Sequence, residues 1–292
     1  MSMPELPEVE TICARFRQGT EEMPSLLGLR VLDVELLWQG TLEEPAFPEL
    51  MRRILGQRFT AIGRRGKYLL FHLENDTLVI HLRMSGDLWL EPADAEVHPH
   101  HRMLFYLDDP ESDEGNVLRL SFNNMRKFGR VWLVEDPEAL LSHLGPEPLD
   151  ADFTPEVFYE LLHSRRRQLK PLLLDQEFIA GIGNIYADEA LYRAKLHPLV
   201  RSHTLSFEET KRLWESIRHV LQEGIRRNGA SIDWVYRGGD FQNHIRVYRR
   251  TDQPCPRCGT PIKRIKVGQR STHFCPQCQP APSDPENKKQ NG

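Results

Sequence analysis

Met1-Ser2-Met3-Pro4-Glu5-Leu6-Pro7-Glu8-Val9-Glu10 opens the chain, and the rest is read outward from it. Two prolines and three carboxylates crowd Pro4–Glu10, just ahead of a helical pattern. Pro7 suits the first helical position, and Glu8 and Glu10 complement the positive end of a helix dipole. Val9, Ile12, Cys13 and Phe16 then recur at helical spacing and Gly19 breaks the pattern, which predicts a helix over 7–18. Glu8 reads either as a carboxylate at that helix start or as a supporting catalytic group. A proline amine is a nucleophile only when nothing precedes it, so the residues ahead of Pro4 matter for any chemistry placed there.

Beyond the helix the pattern changes to short runs rich in β-formers. Arg30–Trp38, Arg58–Ile62, Tyr68–Leu73, Leu78–Leu82, Leu88–Leu90, Met103–Leu107, Val117–Phe122 and Arg130–Val134 are separated by turn residues and predict an antiparallel sandwich or barrel. The acidic stretch Asp108–Asn116 is expected as an exposed hairpin loop. Leu144-Gly145-Pro146-Glu147-Pro148-Leu149 punctuates the chain as a domain boundary. Helices follow: one capped by Thr154 with Pro155 at its first position, one near Gln168–Asp175, and one from Asn184 to before His197-Pro198. The last opens on the capping box Ser206-Phe207-Glu208-Glu209 and carries the stripe Leu213, Ile217, Val220, Leu221 and Ile225 up to Gly229.

Near the C-terminus Cys255-Pro256-Arg257-Cys258 is answered by Cys275-Pro276-Gln277-Cys278. Two residues between paired cysteines let both sulfurs reach one ion, and two such knuckles complete a tetrahedral S₄ shell. One structural Zn²⁺ is therefore expected, ahead of a pair of disulfides or a redox role for either pair. Pro261–Ile265 and Ser271–Phe274 read as the strands of a hairpin with Arg270 at or near its turn, a plausible phosphate clamp. Cys13 stands apart in the first helical pattern, as a small buried apolar residue.

A chain of 292 residues can bury a core without disulfides. No window approaches the ~18 apolar residues of a membrane helix, and no basic patch leads an apolar run, so a cytoplasmic protein with reduced thiols and no membrane partner is expected. The net charge of −4 argues weakly against a polyanion ligand, but its distribution argues for one. Acidic residues crowd Asp87–Glu114, whereas basic ones crowd Arg246–Arg270, around the cysteines, broken only by Asp252.

Taken together, Pro4–Thr11, Gly63-Arg64-Arg65-Gly66-Lys67-Tyr68, His81-Leu82-Arg83-Met84-Ser85-Gly86, Arg126-Lys127-Phe128-Gly129, Leu144–Leu149, Gly181-Ile182-Gly183-Asn184-Ile185-Tyr186 and the cysteine module resemble the formamidopyrimidine-DNA glycosylases. The resemblance covers all but the tail. It implies an α+β multidomain fold: an N-terminal helix plus antiparallel β-sandwich (1–140), a helical helix-two-turn-helix domain (150–235) and a C-terminal four-cysteine zinc β-hairpin (245–279), while the Pro-, Ser-, Asn- and Lys-bearing tail (280–292) is expected from its composition to be disordered. It implies a monomeric bifunctional DNA glycosylase/AP lyase of base-excision repair. Such an enzyme acts on oxidised purines in damaged double-stranded DNA and is nucleoid-associated when bound.

By position in the family, Pro4 is the Schiff-base nucleophile, Glu5 the acid/base carboxylate, and Lys67 a phosphate-binding lysine that assists the chemistry. Met84, Arg126 and Phe128 fill the hole left by an extruded base, with Lys127 beside them on the DNA; core packing is the competing reading for Met84 or Phe128 alone. Asn184 and Arg270 grip phosphates, and Asn184 also reads as a plain helix cap. The family commonly has an aspartate ahead of its Arg-Lys/Arg-Phe-Gly motif; here Asn123-Asn124-Met125 stand there. Ser231–Gln242, which in the family folds over the extruded base, is short. Initiation at Met3 followed by methionine removal would expose Pro4. The alternatives are a non-catalytic binder of damaged DNA with a blocked N-terminus, and an oxidised-pyrimidine glycosylase of endonuclease VIII type.

Overall fold

The computed structural model describes residues 3–21, 23–108, 117–231 and 238–282. Met1 and Ser2, the tip of the acidic stretch, the middle of the short loop and the end of the tail lie outside the described residues. The chain forms two compact units, Met1–His143 with Ala230–Gly239, and Leu144–Gly229 with Asp240–Gly292.

In the first unit, α1 (Leu6–Gln18) buries Val9, Ile12, Cys13 and Phe16 along one face, as the spacing predicts. Gly19 ends it at φ 70°, where a side chain would be strained and a Cβ would lie 2.8 Å from the Ser25 amide. The strands are β1 (Arg30–Leu36), β2 (Leu42–Glu44), β3 (Phe59–Arg65), β4 (Tyr68–Leu73), β5 (Thr77–His81), β6 (Gly86–Pro92), β7 (His101–Asp108), β8 (Val117–Asn124) and β9 (Arg130–Val134). They make two sheets, of order β1-β7-β8-β6 and β2-β9-β5-β4-β3. Leu69, Phe71, Ile80 and Val131 from one sheet and Val31, Phe105, Leu120 and Phe122 from the other belong to one buried core with α1.

Two elements escape the sequence pattern. The edge strand β2 runs parallel to β9, with Leu42 opposite Val131 and Glu44 opposite Trp132. Three residues with no buried member have no period to read. The helix α2 (Phe47–Ile54) follows, burying Leu50 and Ile54 at i, i+4 behind a proline in its first turn.

The first unit ends on the short helix α3 (Pro137–Leu141), and in the second unit the helices are α4 (Pro155–His163), α5 (Leu169–Leu173), α6 (Asn184–Ala194) and α7 (Phe207–Arg226). The Thr154 and Ser206 hydroxyls accept from the amides of Val157 and Glu209. Gly224 of α7 faces Tyr186 of α6 so closely that a Cβ there would lie 2.6 Å from the ring. The last pair of strands, β10 (Lys263–Val267) and β11 (Arg270–Phe274), is closed by Gly268 and Gln269, both at positive φ. That conformation is the two-residue hairpin turn that matches strand twist, and it sets Arg270 first in its strand.

Candidate active site and metal centre

The segment Pro4–Glu8 is held tightly. Pro4 is buried, Glu5 and Glu8 are each 2 % exposed, and the two carboxylates form a capping box in which each accepts the other's amide. The Glu5 amide donates to Glu8 Oε2 at 2.8 Å. The other oxygen of Glu8 accepts the Ala230 amide at 2.7 Å. Glu8 therefore ties the helix start to the segment entering the 231–242 loop. The capping box is the helix-start carboxylate of the sequence reading, and the topology alone brings the Ala230 amide to Glu8 across the chain.

Lys67, 5 % exposed, sits at the turn between β3 and β4. His81 is near it, packed edge-on to the Tyr68 ring at 4.5 Å, with its Nδ1 accepting the Arg83 amide at 3.0 Å. Burial, then the charges of Arg83 and Lys67, push the His81 pKa down to about 3, so the imidazole is neutral beside the lysine. In the sequence His81 stands inside a motif, and nothing local marks it out.

Met84, Arg126 and Phe128 come together. An Arg126 Nη1 lies 3.6 Å from Met84 Sδ, and the guanidinium sits 5.6 Å from the centroid of the Phe128 ring. Phe128 is half exposed, which core packing does not explain. Asn124 supports the group: its Oδ1 accepts the Phe128 amide at 3.2 Å and the Ser85 hydroxyl at 3.4 Å, and its Nδ2 donates to the Leu82 carbonyl at 3.3 Å. Ser85 Oγ in turn accepts the Arg126 amide at 3.1 Å. The asparagine standing before Met125 thus supplies an acceptor to this turn and adds a donor that a carboxylate lacks. Lys127 points elsewhere, its ammonium 5.4 Å from the Trp38 ring centroid.

In the second unit, Asn184 is the first residue of α6, and its Nδ2 donates to the Ser271 carbonyl at 3.0 Å, next to exposed Arg270. Beneath them lies a fully buried ion pair, Lys170 Nζ to Asp188 Oδ1 at 2.7 Å, both side chains 0 % exposed. Lys170 also donates to the Asn184 carbonyl at 3.0 Å. Asp188 Oδ2 accepts the amide of His273 at 2.9 Å and its ring Nδ1–H at 3.1 Å. Glu189 accepts the amides of Arg246, Val247 and Tyr248, each at 2.9 Å. Burial pushes its pKa up while those three donors pull it down.

The four cysteine sulfurs lie within 4.8 Å of one another. The separations of Cys255–Cys278, Cys258–Cys275 and Cys258–Cys278 are 3.9, 3.5 and 3.5 Å. A tetrahedral zinc with Zn–S bonds of ~2.3 Å sets its sulfurs ~3.8 Å apart, so the cluster fits that ion. The thiol of Cys258, bonded to Thr260, falls to about 6, whereas burial and the neighbouring thiols push Cys278 up to about 12. All four become thiolates together only with a cation held between them.

These features define a class: a chain with a helix-led β-sandwich, a helical unit and a four-cysteine hairpin of zinc-finger type. Three family models match, described as formamidopyrimidine-DNA glycosylase N-terminal domain (residues 3–131), formamidopyrimidine-DNA glycosylase H2TH domain (144–235), and zinc finger found in FPG and IleRS (252–281). Curated relatives named formamidopyrimidine-DNA glycosylase include one from Chloroflexus aurantiacus, 47 % identical over 97 % of this chain and 100 % of the relative. Another, from Protochlamydia amoebophila, is 41 % identical over 95 % and 99 %. Among solved structures, Lactococcus lactis Fpg in complex with abasic-site DNA is 34 % identical, with TM-score 0.85 over 95 % of this chain and 100 % of that one. A MutM complex with carbocyclic 8-oxo-G DNA is 35 % identical, with the same TM-score and coverage. The chain belongs to the formamidopyrimidine-DNA glycosylase family, enzymes with glycosylase and AP lyase activity, and its cysteines suit one structural zinc.

Proposed function

We propose that the protein removes oxidised purines, 8-oxoguanine and formamidopyrimidines, from duplex DNA through an N-terminal proline Schiff base. The observation that carries this reading is the buried, doubly tethered segment Pro4–Glu8, where Pro4 adjoins a carboxylate whose backbone is fixed by Glu8. An α-amino group titrates two or more units below a lysine, so a usable fraction of a proline amine is neutral near pH 7. The Pro4 nitrogen attacks C1′ of the lesion nucleotide as the base departs. Glu5 protonates the sugar ring oxygen, opening the ring to an iminium. The iminium acidifies C2′, so β-elimination and then δ-elimination release the 3′ and 5′ phosphates.

Lys67 holds a phosphate near the lesion. Met84, Arg126 and Phe128 fill the space vacated by the extruded base, with Arg126 reading the cytosine left behind. Asn184, at the positive end of α6, and Arg270 hold phosphates. The relatives solved with 8-oxo-G and abasic-site DNA support this substrate class. The mechanism requires a chain that begins at Pro4.

Borohydride should trap a covalent complex with abasic duplex, and Pro4→Gly should abolish it. Full activity in a chain whose intact mass retains Ser2 would sink the proline mechanism. Faster release of oxidised pyrimidines than of 8-oxoguanine would move the enzyme to the endonuclease VIII type.

A further inference from the structure

The turn carrying Arg126 and Phe128 is held from two sides, and only one side belongs to the site already described. On the inner side Asn124 binds it. On the outer side lies Arg130, whose Nη1 donates to the carbonyls of Lys127 at 3.1 Å and Gly129 at 3.0 Å. Arg130 is itself paired through Nε with Glu43. Both Lys127 Nζ, at 5.4 Å, and Arg130 Cζ, at 5.9 Å, lie within cation–π range of the Trp38 ring centroid.

Trp38 is a fixed platform. Its amide donates to the Arg102 carbonyl at 3.2 Å, and its own carbonyl accepts the Thr41 amide at 3.0 Å. Gly40 lets the indole fold back over its loop, since a Cβ there would lie 2.6 Å from Cζ2. The same Arg102 donates from Nε to the Asn124 carbonyl at 2.9 Å, so the outer platform and the inner support share one residue. The parallel pairing of β2 with β9 explains the delivery: it lays the Trp38–Glu43 segment beside Arg130, where β9 leaves the turn.

Lys127 is at the tip in the left-handed region, φ 60°, which a side chain adopts only when its surroundings hold it there. Its amide donates to the Asn124 carbonyl at 3.3 Å, its carbonyl accepts from Arg130, and its ammonium over the indole adds to that hold.

We propose that Trp38 is a positioning residue for base discrimination: its indole clamps the Lys127 and Arg130 cations beneath the turn and so fixes Arg126 and Phe128 at the geometry that reads the orphan base. This rests on the base-reading role of Arg126 given above. Lys127 then serves the scaffold and makes no phosphate contact.

The test uses full-length, zinc-loaded protein and the variants Trp38→Ala, Trp38→Phe, Lys127→Met and Arg126→Ala. Two readouts are taken: hydrogen exchange of the 125–129 amides in the protein alone, and single-turnover excision of 8-oxoguanine opposite C and opposite A. Trp38→Ala should speed exchange in the turn and cut the C-over-A ratio about fivefold, the effect of losing two weak, solvent-screened cation–π contacts. Trp38→Phe should restore most of both. Borohydride trapping on abasic duplex, which needs no orphan-base reading, should be unchanged.

Lys127→Met should shift the ratio the same way and leave the salt dependence of DNA binding as it was. Unchanged exchange in Trp38→Ala would overturn the clamp. A salt slope reduced by about 0.9 in Lys127→Met would make Lys127 a phosphate ligand and equally overturn it. Faster exchange with an unaltered ratio would overturn the specificity role. If Arg126→Ala also left that ratio unaltered, the fault would lie with the base-reading arginine itself.

Discussion

A neutral imidazole beside a lysine needs a reason, and His81 has one. Burial and the nearby cations of Arg83 and Lys67 make its protonation costly, holding the folded pKa at about 3 against an ordinary 6.5. The sign follows by linkage: below pH 6.5 the unfolded chain takes up a proton that the folded chain refuses. Stability is therefore full above 6.5 and declines as pH falls toward 3, by up to roughly 1.4 kcal/mol per pH unit. The acid limb of a Tm-against-pH curve should flatten in His81→Gln. An identical acid slope in wild type and variant would show that His81 is not held neutral. His197, brought down to about 4 by burial, contributes its own acid limb in the second unit, so the flattening should be partial. None of this is visible in the sequence, where His81 reads as one polar residue in a strand pattern. Its burial comes from neighbours in β4 and β9, which no local period encodes.

At the scale of elements, legibility follows periodicity. The first helix, the capping box at Ser206 and the strands with alternating or apolar runs are written in local spacing, and the structure has them. The short strand β2 and the pairing of Lys170 with Asp188 are not. Gln168-Leu169-Lys170-Pro171 reads as the polar start of a helix, and only the packing of α5 on α6 takes the ammonium out of water. The pair joins three features, because Lys170 also holds the Asn184 carbonyl and Asp188 holds His273 of β11. Removing one partner of a buried pair strands the other charge, which costs about 3–5 kcal/mol, whereas replacing both by apolar groups is often neutral. Lys170→Met should therefore lower the unfolding midpoint of the second unit sharply and weaken DNA binding. Lys170→Met with Asp188→Leu should recover part of the stability but not the anchoring of His273. Additive losses in the double variant would refute the coupling.

For the whole molecule, the cysteine spacing announces the metal, while the consequences of losing the metal depend on tertiary bonds that local spacing does not spell out. The zinc hairpin is fastened to α6 by Asn184 on Ser271 and Asp188 on His273, and to the end of α6 by Arg257, which donates to the Tyr192 carbonyl at 2.8 Å and stacks on that ring. Gln279 adds a bond to the Leu196 carbonyl at 2.8 Å. Stripping zinc with a strong chelator unties the S₄ knot at one end of this set, and Arg270 loses the strand that holds it. The sandwich unit has its own core, drawn from both sheets and α1, and no cysteine ligand in it. Chelation should therefore lower affinity for abasic duplex at least tenfold, the loss of one charged phosphate hydrogen bond of ~1.5–3 kcal/mol. It should also reduce the slope of log affinity against log salt by about 0.9 for each phosphate that is no longer neutralised. Unfolding followed by the sandwich tryptophans Trp38, Trp89 and Trp132 should be little changed, and added Zn²⁺ should restore binding. If those tryptophans report unfolding together with the loss of binding, the metal stabilises the whole chain and is not a local fastening for the phosphate clamp.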